Sequence, residues 1–323
     1  MTDEVGDQAF RAGGNRAHWP EMTYGGALSF LRRRYSRDLA GVDVAVMGVP
    51  YDASVTYRPG CRLGPRAIRA ASVQLAELKA FPFGFDLYEE LSIVDYGDCM
   101  VDPHHPETVV SDIEAAAAEI IATGAKLLSL GGDHFVTYPL QRAHAAKYGP
   151  LALIQVDAHG DLWPDDPGRM DHGTMMGRAI REGVIDAARS TQVGIRTFHD
   201  STEGLEVLTA PWIHREGVQA ALDVIRDRAG DAPVYLSFDI DGLDPACAPG
   251  TGTPVPGGLT SAQALELVRG MGDLNLVGMD LVEVSPPFDH AEITAIAAAH
   301  IAHDWICVLA ERAGAEPNPV GRL

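Results

Sequence analysis

Short apolar runs alternate with longer segments of helical periodicity along most of the chain. The runs are rich in Val, Ile and Leu and predict seven buried strands, at 42–49, 91–96, 126–130, 151–156, 192–195, 234–238 and 277–284. Between them the pattern predicts helices at 64–77, 108–123, 138–147, 175–182, 215–228, 261–271 and 290–311. Near-continuous apolar strands that alternate with helices indicate a central parallel sheet covered by helices on both faces. We therefore expect an α/β fold.

The chain is predicted to form a single domain. No internal repeat and no long Pro/Gly/Ser linker divides it. The periodic pattern is missing from the first residues and from the last ones, where we expect mobility or contacts between subunits. We assign 23–313 to the domain, 1–22 to an N-terminal extension and 314–323 to a mobile tail.

Net charge excludes several classes of partner. The 323 residues include 45 Asp and Glu against 25 Lys and Arg, a formal charge of −20. Nucleic-acid binding depends on a positive surface, which this composition does not supply. Docking to anionic membranes is disfavoured for the same reason.

The cysteines, the N-terminal segment and the apolar tracts indicate in which cellular compartment the protein is expected. The 4 cysteines form no CxxC pair, which disfavours a zinc–thiolate site and a disulfide framework. The N-terminal segment lacks the basic start and apolar core of a signal peptide. The longest apolar tract, 291–310, is broken by charged residues and histidines, so it predicts a buried or amphipathic helix and no membrane span. We expect a cytoplasmic protein.

Three predicted strands end in clusters of His and Asp. They run into Gly131-Gly132-Asp133-His134, Asp157-Ala158-His159-Gly160-Asp161 and Asp239-Ile240-Asp241. In open parallel sheets ligands bind beyond the carboxyl ends of the strands. Residues two apart in an extended segment point to the same side, so Asp157, His159 and Asp161 face together, as do Asp239 and Asp241. His134 joins them from a third strand.

Such a group of charges requires cations. Four carboxylates in one crevice would repel each other and raise one another's pKa. Four carboxylates and two imidazoles suit two divalent ions that share bridging carboxylates. Oxygen-rich ligation with some imidazole and no thiolate favours manganese over zinc. A single cluster of this kind is often only a solvated loop, whereas three at three strand ends predict a binuclear site.

The same segments resemble the signatures of a known family. The stretches GGDHFVTYP, DAHGD and SFDIDGLDPACAPGTGTPVPGG, at 131–139, 157–161 and 237–258, are similar to those of the ureohydrolase (arginase/agmatinase) family, and closest to its agmatinase-type members. Further similarity lies in RPGCRLGPRAIR, DHGTM, VGIRT and GMDLVEVSPPFD, at 58–69, 171–175, 193–197 and 278–289. The resemblance implies an arginase-like domain with about eight parallel strands, assembled as a homotrimer or homohexamer.

The resemblance also implies a ligand set for two Mn²⁺ ions per subunit. One ion is expected on His134, Asp157, Asp161 and Asp239. The other is expected on Asp157, His159, Asp239 and Asp241, so two of the aspartates bridge. All six residues are those that the strand-end clusters predict.

Hydrolysis of a guanidino compound to urea and an amine is the implied reaction. The two ions activate a water for attack on the guanidinium carbon. His172 resembles the histidine that passes a proton to the leaving amine, and Glu283 the carboxylate that binds the guanidinium; Asp161 is placed with them as a catalytic residue. A glutamate within an apolar strand is costly to bury without a cationic partner, which favours this role for Glu283. His172 has a simpler alternative, that of a loop residue before the helix at 175–182.

The segment 163–171 is the candidate for recognising the tail of the substrate. Asp165 and Asp166 would attract a terminal ammonium, and Trp163 would pack on a methylene chain or a cation. Agmatine has an amine and no carboxylate, so these residues favour it. Pro-Asp-Asp-Pro-Gly is also an ordinary turn sequence. Arg169 and Arg178 leave room for a guanidino acid such as 4-guanidinobutanoate.

Other functional classes fit less well. No G-x-S-x-G occurs, which disfavours a serine hydrolase, and the segment 250–258 lacks the Walker lysine of a phosphate-binding loop. Metal-dependent deacetylases share the fold but use one zinc, and would not need both His134 and Asp161. A catalytically silent member of the family that acts as a regulatory subunit would be marked by the loss of a ligand or of His172, and neither is lost.

Overall fold

A parallel eight-stranded sheet forms the centre of the molecule in this computed structural model, which describes residues 23–76, 79–102, 104–166 and 169–319. The strand order is β2-β1-β3-β8-β7-β4-β5-β6. The strands are β1 (Val44–Val49), β2 (Ile93–Asp98), β3 (Lys126–Gly131), β4 (Ala152–Val156), β5 (Thr191–Ile195), β6 (Glu206–Thr209), β7 (Val234–Asp239) and β8 (Leu276–Val282).

Helices cover both faces of the sheet, as the apolar runs predict. They are α1 (Gly64–Ser72), α2 (Leu87–Glu90), α3 (Val109–Ala122), α4 (Thr137–Tyr148), α5 (Met175–Arg181), α6 (Ala210–Glu216), α7 (Val218–Ala229), α8 (Ser261–Arg269) and α9 (Ile293–Ala313). Alternate residues of each strand enter opposite cores. In β1, Val44 and Val46 belong to the core that also contains the apolar faces of α1, α7, α8 and α9. Ala45 and Met47 belong to the core that contains those of α3, α4 and α5.

Three elements differ from the sequence prediction, and one of them is the four-residue helix α2, which was not predicted. The edge strand β6 was not predicted, because only one of its four residues is buried and it lacks an apolar run. The single helix predicted at 215–228 is two helices, α6 and α7, separated by Gly217. Gly217 has a φ of 90°, which favours glycine and ends α6.

The apolar tract at 291–310 lies within α9, a core helix. By length and hydropathy α9 is the one helix among the described residues that could cross a membrane, but 78% of its apolar window is buried inside the protein. Its Asp304 carboxylate accepts from Arg269 Nε of α8 at 2.6 Å. These contacts agree with the prediction of a buried helix.

The predicted tail begins where α9 ends, at Gly314 with its φ of 110°. Its first residues make contacts with the domain. Ala315 is buried, and the backbone N–H of Asn318 donates to the Phe83 carbonyl at 2.7 Å. Residues 320–323 and the predicted N-terminal extension, 1–22, lie outside the described residues.

Candidate metal centre and active site

The three His/Asp clusters meet at the carboxyl edge of the sheet. β4, β7, β8 and β3 are consecutive neighbours in it, so the residues that follow these strands converge at one place. The side chains of His134, Asp157, Asp161, Asp239 and Asp241 are all buried, and His159 is partly buried. The structure thus brings together all six predicted metal ligands.

A first group of donor atoms surrounds His134. Its Nδ1 atom lies 3.0 Å from Asp157 Oδ2 and 3.1 Å from Oδ2 of both Asp161 and Asp239. Although these oxygens are close, Nδ1 makes no hydrogen bond of acceptable geometry with the described residues. A buried nitrogen without a hydrogen bond, facing three carboxylates, fits a metal ion in the space between them.

A second group shares Asp157 with the first. His159 Nδ1 lies 3.1 Å from Asp241 Oδ2 and 3.4 Å from Asp157 Oδ1. The donor atoms of these three residues lie within 4.8 Å of one another, as do those of His134, Asp157 and Asp239. Two overlapping groups that share a carboxylate have the arrangement expected for two ions with a bridging ligand.

The carboxylates of the cluster oppose each other electrostatically. Burial, followed by the charges of Asp241 and Asp157, raises the pKa of Asp239 well above its ordinary value. Burial and the charge of Asp157 raise the pKa of Asp161 to about 7. Divalent cations would relieve this repulsion, so the electrostatics and the donor atoms favour the same occupant.

Two buried residues orient His134, and both lie inside the family-like stretches 237–258 and 278–289 but are not among the predicted site residues. Its Nε2 lies 2.9 Å from Ser237 Oγ, and Ser237 Oγ donates to Asp280 Oδ1 at 2.7 Å. Because the Ser237 hydroxyl donates its proton to Asp280, its oxygen accepts from the Nε2–H of His134. This leaves the lone pair on Nδ1, facing the carboxylates, as a metal ligand requires. Alternation along the strands was the available signal, since Ser237 and Asp280 interrupt apolar runs.

A small cavity opens beside the cluster. Its volume is about 30 Å³, which is room for roughly one or two water molecules. The lining combines cluster residues with side chains from the surrounding loops: Thr56, His134, His159, Asp161, Trp163, His172, Gly173, Asp239 and Thr253.

His172 lies in this lining between two partners. Its Nδ1 is 2.9 Å from Glu283 Oε1, and its Nε2 is 2.8 Å from Thr56 Oγ1 and accepts from the Thr56 N–H at 3.1 Å. Burial lowers the pKa of His172, but the hydrogen bond and charge of Glu283 outweigh it and raise the pKa to about 9. An imidazole at the cavity wall that readily holds a proton is suited to proton transfer.

Glu283 lies behind the cavity wall. Its Oε1 accepts from the His134 N–H at 2.9 Å as well as from His172, and its Oε2 is buried without a hydrogen-bond partner among the described residues. The backbone φ of Glu283 is 63°, which is rare for a residue other than glycine. Strained backbone of this kind is common at functional sites.

The segment 163–171 differs from the sequence expectation at Asp165. Trp163 lines the cavity and is half-exposed, as a substrate contact would be. Asp165 instead forms hydrogen-bonded ion pairs with Arg178, at 2.8 and 2.5 Å, and an ion pair with Arg181 at 3.2 Å. The charge of Asp165 is therefore neutralised by these two arginines, and Asp165 is not among the residues that line the cavity. Asp166 is exposed, and its carbonyl accepts from the Arg169 N–H at 2.9 Å.

Comparison with known proteins decides the family, since the Arginase family matches residues 42–307, most of the chain. The chain belongs to the arginase family. It is 61% identical to an agmatinase of Chromobacterium violaceum, over 96% of this chain and 97% of that protein.

Solved structures agree with this assignment. A hypothetical agmatinase from Burkholderia thailandensis superposes with a TM-score of 0.93 at 55% identity, covering 95% of this chain and 98% of that one. Proclavaminate amidino hydrolase from Streptomyces clavuligerus gives a TM-score of 0.87 at 39% identity, covering 90% and 100%.

Membership of the arginase family confirms the predictions of an arginase-like fold and of a hydrolytic ureohydrolase. The family is binuclear and metal-dependent, and the cluster at the sheet edge offers the donor atoms that such a centre needs. The loss of a metal ligand or of His172 would indicate a catalytically silent member. The structure brings the ligands together and places His172 in the cavity lining.

Proposed function

We propose that this protein is a manganese ureohydrolase that converts agmatine to putrescine and urea. One observation carries the proposal: two groups of His and Asp donors share Asp157 and border a cavity whose wall contains His172. The similarity to curated agmatinases, at 61% and 51% identity, supports agmatine as the substrate.

The two ions would be held as the motifs imply. His134, Asp157, Asp161 and Asp239 would bind one Mn²⁺, and Asp157, His159, Asp239 and Asp241 the other. The donors are oxygen and imidazole without thiolate, a set that suits manganese. When bound, the pair of ions supplies an activated water for attack on the guanidinium carbon.

His172 would deliver the proton that the departing amine needs. Its Nδ1 proton is held by Glu283, so Nε2 at the cavity wall is the atom that carries the transferred proton. Thr56 suits both protonation states of Nε2, because its N–H donates to the neutral ring and its hydroxyl oxygen accepts from the protonated one.

Glu283 has two parts in the proposal. It orients His172 through Oε1, and its unpaired Oε2 is an acceptor for a guanidinium N–H. A buried carboxylate oxygen without a partner loses considerable free energy, and a charge-assisted bond from a guanidinium would restore it.

The surroundings of the cavity favour a substrate tail without a carboxylate. The lining, within the part of the chain that the structure describes, contains no Arg or Lys. Arg178 and Arg169, which left room for a guanidino acid, are paired with Asp165 and Asp171. Trp163 is the lining residue best suited to a methylene chain or an ammonium, and exposed Asp166 remains a candidate to attract the ammonium.

We also propose that the enzyme works in the cytoplasm as a homotrimer or homohexamer. The described cysteines are free thiols, as in reducing compartments. The resemblance to the ureohydrolase family implies this assembly. Sedimentation at several protein concentrations tests the assembly.

A urea-release assay with Mn²⁺ tests the proposed reaction. Agmatine, 4-guanidinobutanoate, 3-guanidinopropanoate and arginine are compared at equal concentrations, and we expect agmatine to be hydrolysed best. A preference for arginine or a guanidino acid would contradict the reading of the cavity. The variant Asp239→Asn should bind less Mn²⁺ and release no urea, whereas Asp223→Asn, a change of an exposed acid, should behave as wild type.

A further inference from the structure

Two buried glutamines lie directly beneath the metal ligands. Gln155 on β4 and Gln192 on β5 are partners in the parallel register, and both side chains are fully buried. Neither occurs in a motif that predicts the site. Buried amides must be hydrogen-bonded to be tolerated, so their partners show what they do.

Gln155 donates to two metal ligands at once. Its Nε2 lies 2.8 Å from Asp157 Oδ2 and 3.1 Å from Asp161 Oδ2. These are the same oxygens that face His134 Nδ1, at 3.0 and 3.1 Å. The amide therefore contacts the first donor group, and its Nε2 also lies 3.4 Å from the backbone carbonyl of His159. The second group uses the other oxygen of Asp157 together with Asp241 Oδ2.

Gln192 determines which end of Gln155 faces the carboxylates. The Gly160 carbonyl only accepts, so the NH₂ group of Gln192 must point to it, at 2.7 Å. The second proton of that NH₂ group is donated to Gln155 Oε1 at 2.8 Å. With its oxygen thus engaged, Gln155 has its own NH₂ group on the side of Asp157 and Asp161.

The hydrogen bonds form a closed loop around the Asp157–Asp161 segment. They begin at the carbonyl of Gly160, pass through both glutamines and end on the carboxylate of Asp161. Asp161 has a φ of 51°, a conformation that costs free energy and persists only where its surroundings hold it. Gln155 donates to its carboxylate, and Gln192 donates to the carbonyl of the preceding residue, Gly160, so the two amides hold this conformation.

We propose that Gln155 and Gln192 act as an amide relay that positions Asp157 and Asp161 for the metal ion at His134. Gln155 is the positioning residue in contact with the ligands, and Gln192 acts through Gln155. Groups that bond to metal ligands typically change metal affinity 10–100-fold when they are removed. Because Asp161 belongs to the first donor group alone and Asp157 to both, the relay acts most strongly on the ion at His134 and more weakly on the other. The inference rests on the metal centre of the proposed function.

Mn²⁺ titration of the metal-free protein, followed by the electron paramagnetic resonance signal of free Mn²⁺, tests the relay. Gln155→Met keeps the length of the side chain and removes the amide. We expect wild type to bind two ions, and Gln155→Met to bind one of them about 10–100-fold more weakly and the other with a smaller loss. Gln192→Met should weaken the same ion less, and the double variant should match Gln155→Met.

Gln141→Met is the matched control. Gln141 is also a fully buried glutamine, but its amide contacts Met176 Sδ, at 3.6 Å, and no metal ligand. Gln141→Met should leave both Mn²⁺ affinities unchanged. Circular dichroism of each metal-free variant checks that the fold is kept.

The outcomes separate this inference from the proposed function. Two unchanged affinities in Gln155→Met and Gln192→Met would overturn the relay and leave the metal centre intact. Equal weakening of both ions, or additive effects in the double variant, would overturn the site-selective relay. A wild-type protein that binds no Mn²⁺ would overturn the metal centre itself.

Discussion

His172 and Glu283 meet at 2.9 Å between Nδ1 and Oε1, although 111 residues separate them in the chain. The contact links the imidazole at the cavity wall to the buried carboxylate behind it. It raises the pKa of His172 to about 9 against the opposing effect of burial. Both the stability and the activity of the protein are expected to depend on this pair.

The first prediction concerns the stability of the metal-free protein against pH. Native His172 holds its proton up to about pH 9, whereas in the unfolded chain it loses it near its ordinary pKa of 6.5. The stabilisation by the pair is therefore fully present below pH 6.5 and is lost as pH rises through 9. Urea unfolding should show that the difference between wild type and His172→Asn shrinks over this window, by about 3 kcal/mol.

The control for this experiment is His104→Asn, a change of an exposed histidine. Its difference from wild type should not vary with pH in the same window. A constant difference for His172→Asn would show that the contact with Glu283 does not hold a proton on the ring.

Thr56 provides the second prediction, through its contact with Nε2 of His172. Thr56→Val removes the hydroxyl at 2.8 Å and keeps the shape and the backbone N–H. We expect kcat for agmatine to fall about tenfold, equivalent to about 1.4 kcal/mol, with little change in KM, because the proton donor is less well oriented. Thr56→Ser keeps the hydroxyl and should retain most of the activity. Equal kcat values for Thr56→Val and Thr56→Ser would show that the Thr56 hydroxyl does not assist proton transfer.

Much of the metal cluster could be predicted from sequence because its geometry is local. Asp157, His159 and Asp161 lie two residues apart after one strand, and parallel topology alone brings the other clusters to the same edge. The contacts of His172 and Asp165 could not be predicted in this way. Their partners come from distant segments, such as Thr56, and no spacing encodes which polar side chains will meet across the fold.

The third prediction concerns Gly173, on which Trp163 packs. A Cβ atom at residue 173 would lie 2.4 and 2.6 Å from Cε3 and Cζ3 of the Trp163 ring, so Gly173→Ala must displace the indole. Trp163 lines the cavity, and its contact with the substrate is worth about 1 kcal/mol if it packs on an ammonium. KM for agmatine should therefore rise roughly fivefold in Gly173→Ala and in Trp163→Ala.

A double variant separates displacement of the ring from other effects. With alanine at 163 the clash is gone, so Gly173→Ala should add nothing to Trp163→Ala. Phe198→Ala, a change of an exposed aromatic outside the cavity lining, is the control and should leave KM unchanged. Additive increases in KM would show that Gly173 acts by another route.

The fourth prediction distinguishes the neighbouring acids Asp165 and Asp166. Asp165 is 8% exposed at its side chain and accepts from Arg178 and Thr174, whereas Asp166 is exposed. Asp165→Asn leaves Arg178 without its partner carboxylate and should lower the free energy of unfolding by about 2 kcal/mol, because hydrogen bonds to charged groups are worth about that much. Asp166→Asn, the matched change one residue later, should alter it by less than about 0.5 kcal/mol.

Kinetics of the same two variants show which acid acts on the substrate. If Asp166 attracts the ammonium of agmatine through solvent, Asp166→Asn raises KM at low ionic strength, and the increase disappears in high salt as screening removes the attraction. Asp165→Asn should lack this salt dependence, since Arg178 and Arg181 already neutralise its charge. A salt-dependent KM in Asp165→Asn with unchanged stability would reverse the assignment, restoring Asp165 as a substrate contact and reducing its ion pairs to incidental surface contacts.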